Sequence, residues 1–217
     1  SPDGGTRVET YFNDGRLERI TGTAVNPVRN DYGVEALNGH QREYQKETKL
    51  SSSGSVTSEW AKTYYDGAGR TLRTVYSGAG APYRESVYNS KGQLVRQRDP
   101  DGVTTLYQYN ALGQAEHTAL DLNGNNSIDL SGTDQVSKTV RDVPANGYSG
   151  FDTVQTQRYA LLSNNDASAT LIATQHVSLD GLRQWTLQPD QGGHTESVTV
   201  YGANGARTQT TTRRDGT

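Results

Sequence analysis

The sequence predicts an all-β chain: repeated antiparallel β-hairpins forming a continuous curved sheet. Three observations carry that expectation. A tyrosine is followed four residues later by a glycine at Tyr11/Gly15, Tyr65/Gly69, Tyr88/Gly92, Tyr109/Gly113 and Tyr201/Gly205, with a degenerate copy at Val177/Gly181. Adjacent copies stand 23 (65 to 88), 21 (88 to 109) and 24 (177 to 201) residues apart, the mark of a stacked architecture that reuses one small unit. Turn chemistry flanks strand-like runs within each period. The composition agrees: of 217 residues only 31% are hydrophobic, with 24 Gly, 2 Phe and neither Met nor Cys. A deep core is hard to build from that, so the apolar area is expected to come mostly from the 13 Tyr, as a thin and partly polar layer.

One unit explains the period. Along VTTLYQY, Val103, Thr105, Tyr107 and Tyr109 fall on one strand face and Thr104, Leu106 and Gln108 on the other, because successive side chains alternate. Asn110-Ala111-Leu112-Gly113 then has Asn first and Gly fourth, the chemistry of a type I turn ending in a residue that tolerates positive φ. Upstream, Gln93 to Arg98 is a second extended run, entered through Asn89-Ser90-Lys91-Gly92 and left through Asp99-Pro100-Asp101-Gly102. Two such turns per period leave two strands of about seven residues, each about 23 Å long. The whole chain then holds about 12 to 16 strands. From Asn38 to Leu50 the pattern fits a short helix and an exposed strand equally, and Ser51-Ser52-Ser53-Gly54-Ser55 reads as a loop tip or flexible connection.

Several function classes are excluded or disfavoured. A net charge of −3 with no basic cluster argues against nucleic acid, and no apolar stretch is long enough to span a membrane as a helix. Without Cys there is neither a disulfide framework nor thiolate chemistry. His40, His117, His176 and His194 lack the close spacing of a zinc pair and read as surface or strand residues. No carboxylate pair is placed for glycosidase work, so no catalytic residue is assigned and the chain is not expected to be an enzyme. The lack of any Met, position 1 included, leads us to expect a piece of a longer chain.

The repeat residues Tyr65, Tyr88, Tyr107, Tyr109 and Tyr201 read as the ladder joining one hairpin to the next; a platform for stacking sugar rings is the alternative. The glycines Gly15, Gly69, Gly92, Gly113 and Gly205 read as turn residues, since none stands between a strand and a helix as a phosphate loop requires. Trp60 and Trp185 lie in strand-like runs and read as packing residues. One segment interrupts the period, Asp121 to Asp134. Asp121, Asn123, Asn125, Ser127 and Asp129 offer oxygen at alternate positions, as in an EF-hand loop. The usual sixth-position Gly is Asn126 and the twelfth-position Glu is Gly132, leaving Asp134 to complete a Ca²⁺ site. A polar insertion held by Asx turns is the competing reading.

The run Tyr88-Asn89, Gly92, Leu94, Asp99-Pro100, Gly102, Tyr107 and Tyr109-Asn110, Gly113 resembles the tyrosine-aspartate (YD) repeat of rearrangement-hot-spot (RHS) proteins. That family includes shell-forming components of insecticidal toxin complexes and the related region of teneurins. The match is specific over about 65 to 120. It is weaker at 10 to 22 and 176 to 217, and 26 to 60 and 140 to 175 are divergent. The resemblance implies one repeat domain over 1 to 217, interrupted by the loop at 121 to 135. It also implies a sheet that spirals into a secreted or cell-surface shell enclosing a polypeptide, commonly a toxin. The expected partners are the remainder of the parent chain and that polypeptide. A second reading is a β-repeat module that binds glycan or a cell-surface protein. Open sheet edges predict pairing between copies.

Overall fold

In the computed structural model, residues 4–130, 133–161, 169–189 and 192–214 are described. The strands are β1 (Val8–Tyr11), β2 (Leu17–Thr21), β3 (Val28–Leu37), β4 (His40–Leu50), β5 (Val56–Tyr65), β6 (Thr71–Tyr76), β7 (Tyr83–Tyr88), β8 (Leu94–Arg98), β9 (Thr104–Tyr109), β10 (Ala115–Leu120), β11 (Gln135–Asp142), β12 (Thr153–Leu161), β13 (Ala169–Ser178), β14 (Arg183–Leu187), β15 (His194–Tyr201) and β16 (Arg207–Arg214). Spatial order equals chain order in one antiparallel, unclosed sheet. Each connection is therefore a hairpin, as expected from the sequence. The chain divides into two compact units, Ser1–Thr104 and Thr105–Thr217.

The tyrosine-glycine spacing is set by the end of a strand and the turn that follows it. Tyr occupies the last strand position and the next residue opens the turn. At Asn89, the backbone N–H donates to Gln93 O (2.9 Å), while Gly92 N–H donates back to Asn89 O (2.9 Å). The same double closure recurs at Phe12, Ser51, Asp66, Asp99, Asn110 and Gly202. Gly92 sits at φ +80°, in the left-handed region that penalises any residue with a Cβ. Gly69 holds the equivalent place after Tyr65: its N–H donates to Asp66 O (2.9 Å) at φ +76°. The two differ in their surroundings. A Cβ on Gly69 would meet only open space, whereas one on Gly92 would meet Arg70 of the preceding hairpin, so the close approach of a neighbour is found at Gly92 and not at Gly69.

Asn89 Oδ1 also accepts from Lys91 and Gln93 N–H, both at 3.0 Å, and Asn110 does the same for Leu112 and Gln114. Just beyond the turn the pairing slips, from Val87↔Arg96 to Tyr88↔Leu94. An equivalent slip follows Thr10, Tyr64 and, on the partner strand, Ala115, so a bulge belongs to the repeat and adds local twist.

Two stretches that the sequence left open take one of their two readings. Asn38 to Leu50 is a turn and a strand, not a helix: Asn38 (φ +51°) and Gly39 (φ +80°) form a two-residue turn and β4 pairs with β3 from Leu37↔His40 to Val28↔Lys49. Asn-Gly supplies two positive-φ residues, the requirement of the twisted hairpin turn. Ser51-Ser55 is not a loose connection but another copy of the repeat turn, with Ser51 Oγ accepting from Ser55 N–H (3.1 Å) in the place of Asn Oδ1.

The thin-layer expectation holds, but its composition does not. Among the described residues Tyr64 is the one buried tyrosine, beside Leu50, Leu106, Ala119, Val136 and Trp185. Tyrosines on a single uncovered layer keep an edge in water, so most end half-buried. The apolar cluster is Leu106, Ala119 and Val136.

Candidate functional site

In the first unit the same device joins Tyr88 and Tyr32 to the strand beside each. Tyr88 donates its hydroxyl hydrogen to Thr71 O of the preceding hairpin (3.2 Å). Arg70, just after the turn glycine Gly69, lies 4.4 Å from the same ring centroid. Its Nε is fixed to Asp66 Oδ2 at 2.7 Å, and Nη1 reaches so close to Gly92 that a Cβ there would stand 2.8 Å away. The arginine lowers the Asp66 pKa: burial opposes, but backbone and side-chain hydrogen bonds from Arg70 prevail. Tyr32 repeats the arrangement, donating to Leu17 O (3.0 Å) with Arg16 4.6 Å above its ring. The ring face under each arginine gains cation–π attraction and is occupied by it. Tyr65 reaches across to Gln45 of β4, its hydroxyl 3.5 Å from Oε1. Tyr107 and Tyr109 are half-buried on one face of β9, while Tyr11 and Tyr201 stay exposed.

One face of β3–β8 alternates charge and aromatic rings. Glu85 pairs with Arg73 and with Arg96 (3.0 Å). Tyr83 lies between Arg73 (4.6 Å) and Arg98 (4.2 Å). Further along, Lys62 Nζ is 3.9 Å from the Tyr44 centroid and 2.5 Å from Glu35 Oε2. Tyr64 also donates to Glu35. Hydrogen bonds from Lys62 and then Tyr64 hold the Glu35 carboxyl below the usual carboxylate range. Tyr44 covers Gly33, where a Cβ would meet the ring at 2.7–2.9 Å. Near the turns of β3–β4 and β5–β6, an open cleft of about 470 Å³ is lined by residues that include His40, Arg42, Asp66 and Tyr88.

The insertion loop of the second unit is organised by its own carboxylates. Asp121 accepts Gly124 N–H (2.7 Å) and Asn126 N–H (2.9 Å). Asn123 and Asn125 each cap the N–H two residues on (3.0 and 2.8 Å), and both donate Nδ2 to Asp129 Oδ2 (2.6 and 2.8 Å). Asp134, 7% exposed, closes the base by accepting Leu122 N–H (3.1 Å) and Asp129 N–H (3.0 Å). Asn126 adopts φ +61°, a left-handed conformation that asparagine tolerates. Gly132 lies outside the described residues. These contacts are Asx turns, and the carboxylates proposed as calcium ligands are engaged with loop N–H groups. Ile128 and Leu130 anchor the loop by packing on the Leu106, Ala119 and Val136 cluster. His117, a buried strand residue, pairs across to Gln108.

A second covering segment was not foreseen. Between β11 and β12, residues 143–152 form a strap whose tip, Tyr148-Ser149-Gly150-Phe151, is closed by Tyr148 N–H to Phe151 O (2.8 Å) and Phe151 N–H to Tyr148 O (3.0 Å). Ser149 (φ +51°) and Gly150 (φ +81°) make the turn. Gly147 is obligatory, since a Cβ there would stand 2.0 Å from Phe151 O. The Tyr148 ring stacks on His176 (centroids 4.2 Å, 16°) and meets Trp185 edge-on at 5.5 Å. Phe151 meets Trp185 at 5.7 Å and carries Arg183 4.7 Å above its own ring. Trp185 is thereby 1% exposed, and its Nε1 finds no hydrogen-bond partner among the described residues. The sequence signal was present in Asn146-Gly147-Tyr148-Ser149-Gly150-Phe151, a glycine-rich turn bracketed by two aromatics.

Residues 88–121 match the RHS repeat family model. No curated protein matches the chain in sequence. Among solved structures the chain is similar to one described as "Crystal Structure of TcdB2-TccC3-Cdc42", with 12% identity and a TM-score of 0.30, over 98% of this chain and 16% of that one. The chain thus spans about a sixth of the length of that relative.

Proposed function

We propose that this chain, an RHS/YD-repeat protein, is a non-catalytic wall segment of a secreted or surface shell that encloses a polypeptide cargo. The observation that carries the proposal is the unbroken chain-order sheet together with the repeat match at 88–121. The mechanism is steric. Backbone ladders make a continuous wall, the turn closures fix each hairpin, and arginine-tyrosine bridges tie neighbouring hairpins at Tyr32 and Tyr88, so the wall has few openings through which a protease could reach what lies behind it. The repeat tyrosines and glycines are consumed by this architecture. The partners are the remaining hairpins of the parent protein and the enclosed chain.

Electron microscopy of the longer protein, with limited proteolysis before and after mild denaturation, tests the reading. A hollow particle with internal density and a segment cut only after denaturation is the expected result; an open sheet with every segment cut at once would overturn it. The glycan-module alternative is disfavoured by the occupied ring faces of Tyr32 and Tyr88 and by the burial of Trp185.

A further inference from the structure

The strap at 143–152 rests on a histidine that has no partner for a positive charge. His176 is 5% exposed. Its Nδ1 lies 3.2 Å from Thr153 Oγ1 of β12, and Thr153 is itself fully buried. The cross-strand neighbours are Gln155 on β12 and Trp185 on β14. From the strap, Tyr148 covers the ring. From β15, His194 meets Tyr148 edge-on at 6.4 Å. Glu196 stands across from Trp185 and is already paired with Arg183 (3.3 Å) and Arg214 (3.4 Å). On β13 itself the flanking same-face residues are Thr174 and Ser178, and Ser178 donates to Asp180 at 2.5 Å. From β11, Asp142 stands across from Gln155 and caps Val143 N–H (2.7 Å). Asp152, at the foot of the strap, is exposed. Among the described residues none of these acids forms an ion pair with the ring.

We propose that the strap is an acid-released cover, in which protonation of His176 frees Tyr148 and Phe151 from the β13–β14 face and exposes Trp185. A buried imidazolium without a counter-ion is costly, and a tyrosine face offsets only a small part of that cost. Lifting the strap is the smallest movement that gives the charge water. It breaks ring contacts and the turn's seat but no rung of the sheet ladder. Burial alone pushes the His176 pKa below the ordinary 6.5. The closed form is therefore favoured fully above about pH 6.5 and loses ground as pH falls from there toward the lowered value in the closed state. A single coupled proton allows an opening equilibrium up to about tenfold larger at pH 5.5 than at pH 7.5.

Hydrogen exchange at the Trp185 indole N–H, which lies buried beneath the strap without a hydrogen-bond partner among the described residues, corrected for the chemical rate, measures that opening. The expected result is an increase of up to about tenfold at pH 5.5, with amides of β7 and β8 unchanged, no increase in His176→Gln, and a retained increase in His194→Gln. Equal protection at the two pH values, an increase that persists in His176→Gln, or a parallel loss in β7 and β8 would each overturn the proposal. Should His176→Gln fail to fold, an NMR titration of the wild-type chain decides: the His176 ring and the Phe151 amide must share one midpoint, and separate midpoints refute the switch.

Discussion

The two units solve the same problem, a sheet with too few apolar residues, in different ways. In Ser1–Thr104 the strands carry their own covers: Arg16, Lys62, Arg70, Arg73 and Arg98 lay cationic groups over tyrosine rings on neighbouring strands. In Thr105–Thr217 two connections fold back instead. The insertion loop seats Ile128 and Leu130 on Leu106, Ala119 and Val136, and the strap seats Tyr148 and Phe151 on Trp185. Cross-strand pairing runs Ala119↔Val136 on β11 and, from Asp142 on the same face of β11, through Gln155 to His176 and Trp185, so both covers lie on one face. Regular hairpins are thus held by many exchangeable side-chain contacts, and irregular ones by a few large apolar contacts. The irregular half is therefore expected to be more sensitive to single truncations and the regular half to salt.

Trp185→Ala should give the largest effect, a loss of about 3–5 kcal/mol from an aromatic buried under two rings, seen as a lower denaturation midpoint at constant m-value. A loss under about 1 kcal/mol would mean that the strap does not seal the ring. Leu106→Ala follows at about 2–4 kcal/mol. In the regular half, Glu85→Gln is expected to cost about 1–2 kcal/mol, because it leaves Arg73 and Arg96 competing for a neutral amide. That difference should shrink in high salt, whereas the Trp185 effect should not; equal salt response in both would break the contrast. Gly92→Ala forces a Cβ into the left-handed region for about 1–2 kcal/mol, plus displacement of Arg70. Gly69→Ala should carry the backbone part of that cost without the displacement, so equal losses at the two glycines would mean that Arg70 does not hold the Gly92 turn. Smallest of all, chelation should leave the melting temperature unchanged, since the carboxylates of Asp121 and Asp134 already bind loop N–H groups. A rise on adding calcium would support the ion-site reading, as a ligand bound only by the folded state must stabilise it.

The period, the hairpin unit and the turn glycines were legible because they depend on local rules. Positive φ at the fourth turn position selects glycine, and alternation sets the two faces of a strand. The same rules identified the Asx character of the 121–134 segment, although not which acceptor each oxygen would serve. Two further turns rest on local chemistry alone: Asn38-Gly39 as a two-residue turn, and Ser51 as a substitute for Asn at a turn opening. Arg16 and Arg70, each one residue past a turn glycine, repeat in the sequence as well. Their target is set by which hairpin lies beside them, a contact of 16 to 18 residues' separation (Arg16 to Tyr32, Arg70 to Tyr88).

By itself the sequence determined an antiparallel hairpin sheet with chain-order neighbours, because each turn is specified within five residues and each strand pairs with the one the turn delivers. Only the tertiary structure decided which side chains are buried. Burial in a single-layer sheet depends on what crosses above it, and in Thr105–Thr217 that is a strap and a loop whose anchors, Tyr148, Phe151, Ile128 and Leu130, act on residues of other strands. The same dependence placed His176 in the core rather than at the surface, turning an ordinary strand histidine into the group on which the cover rests.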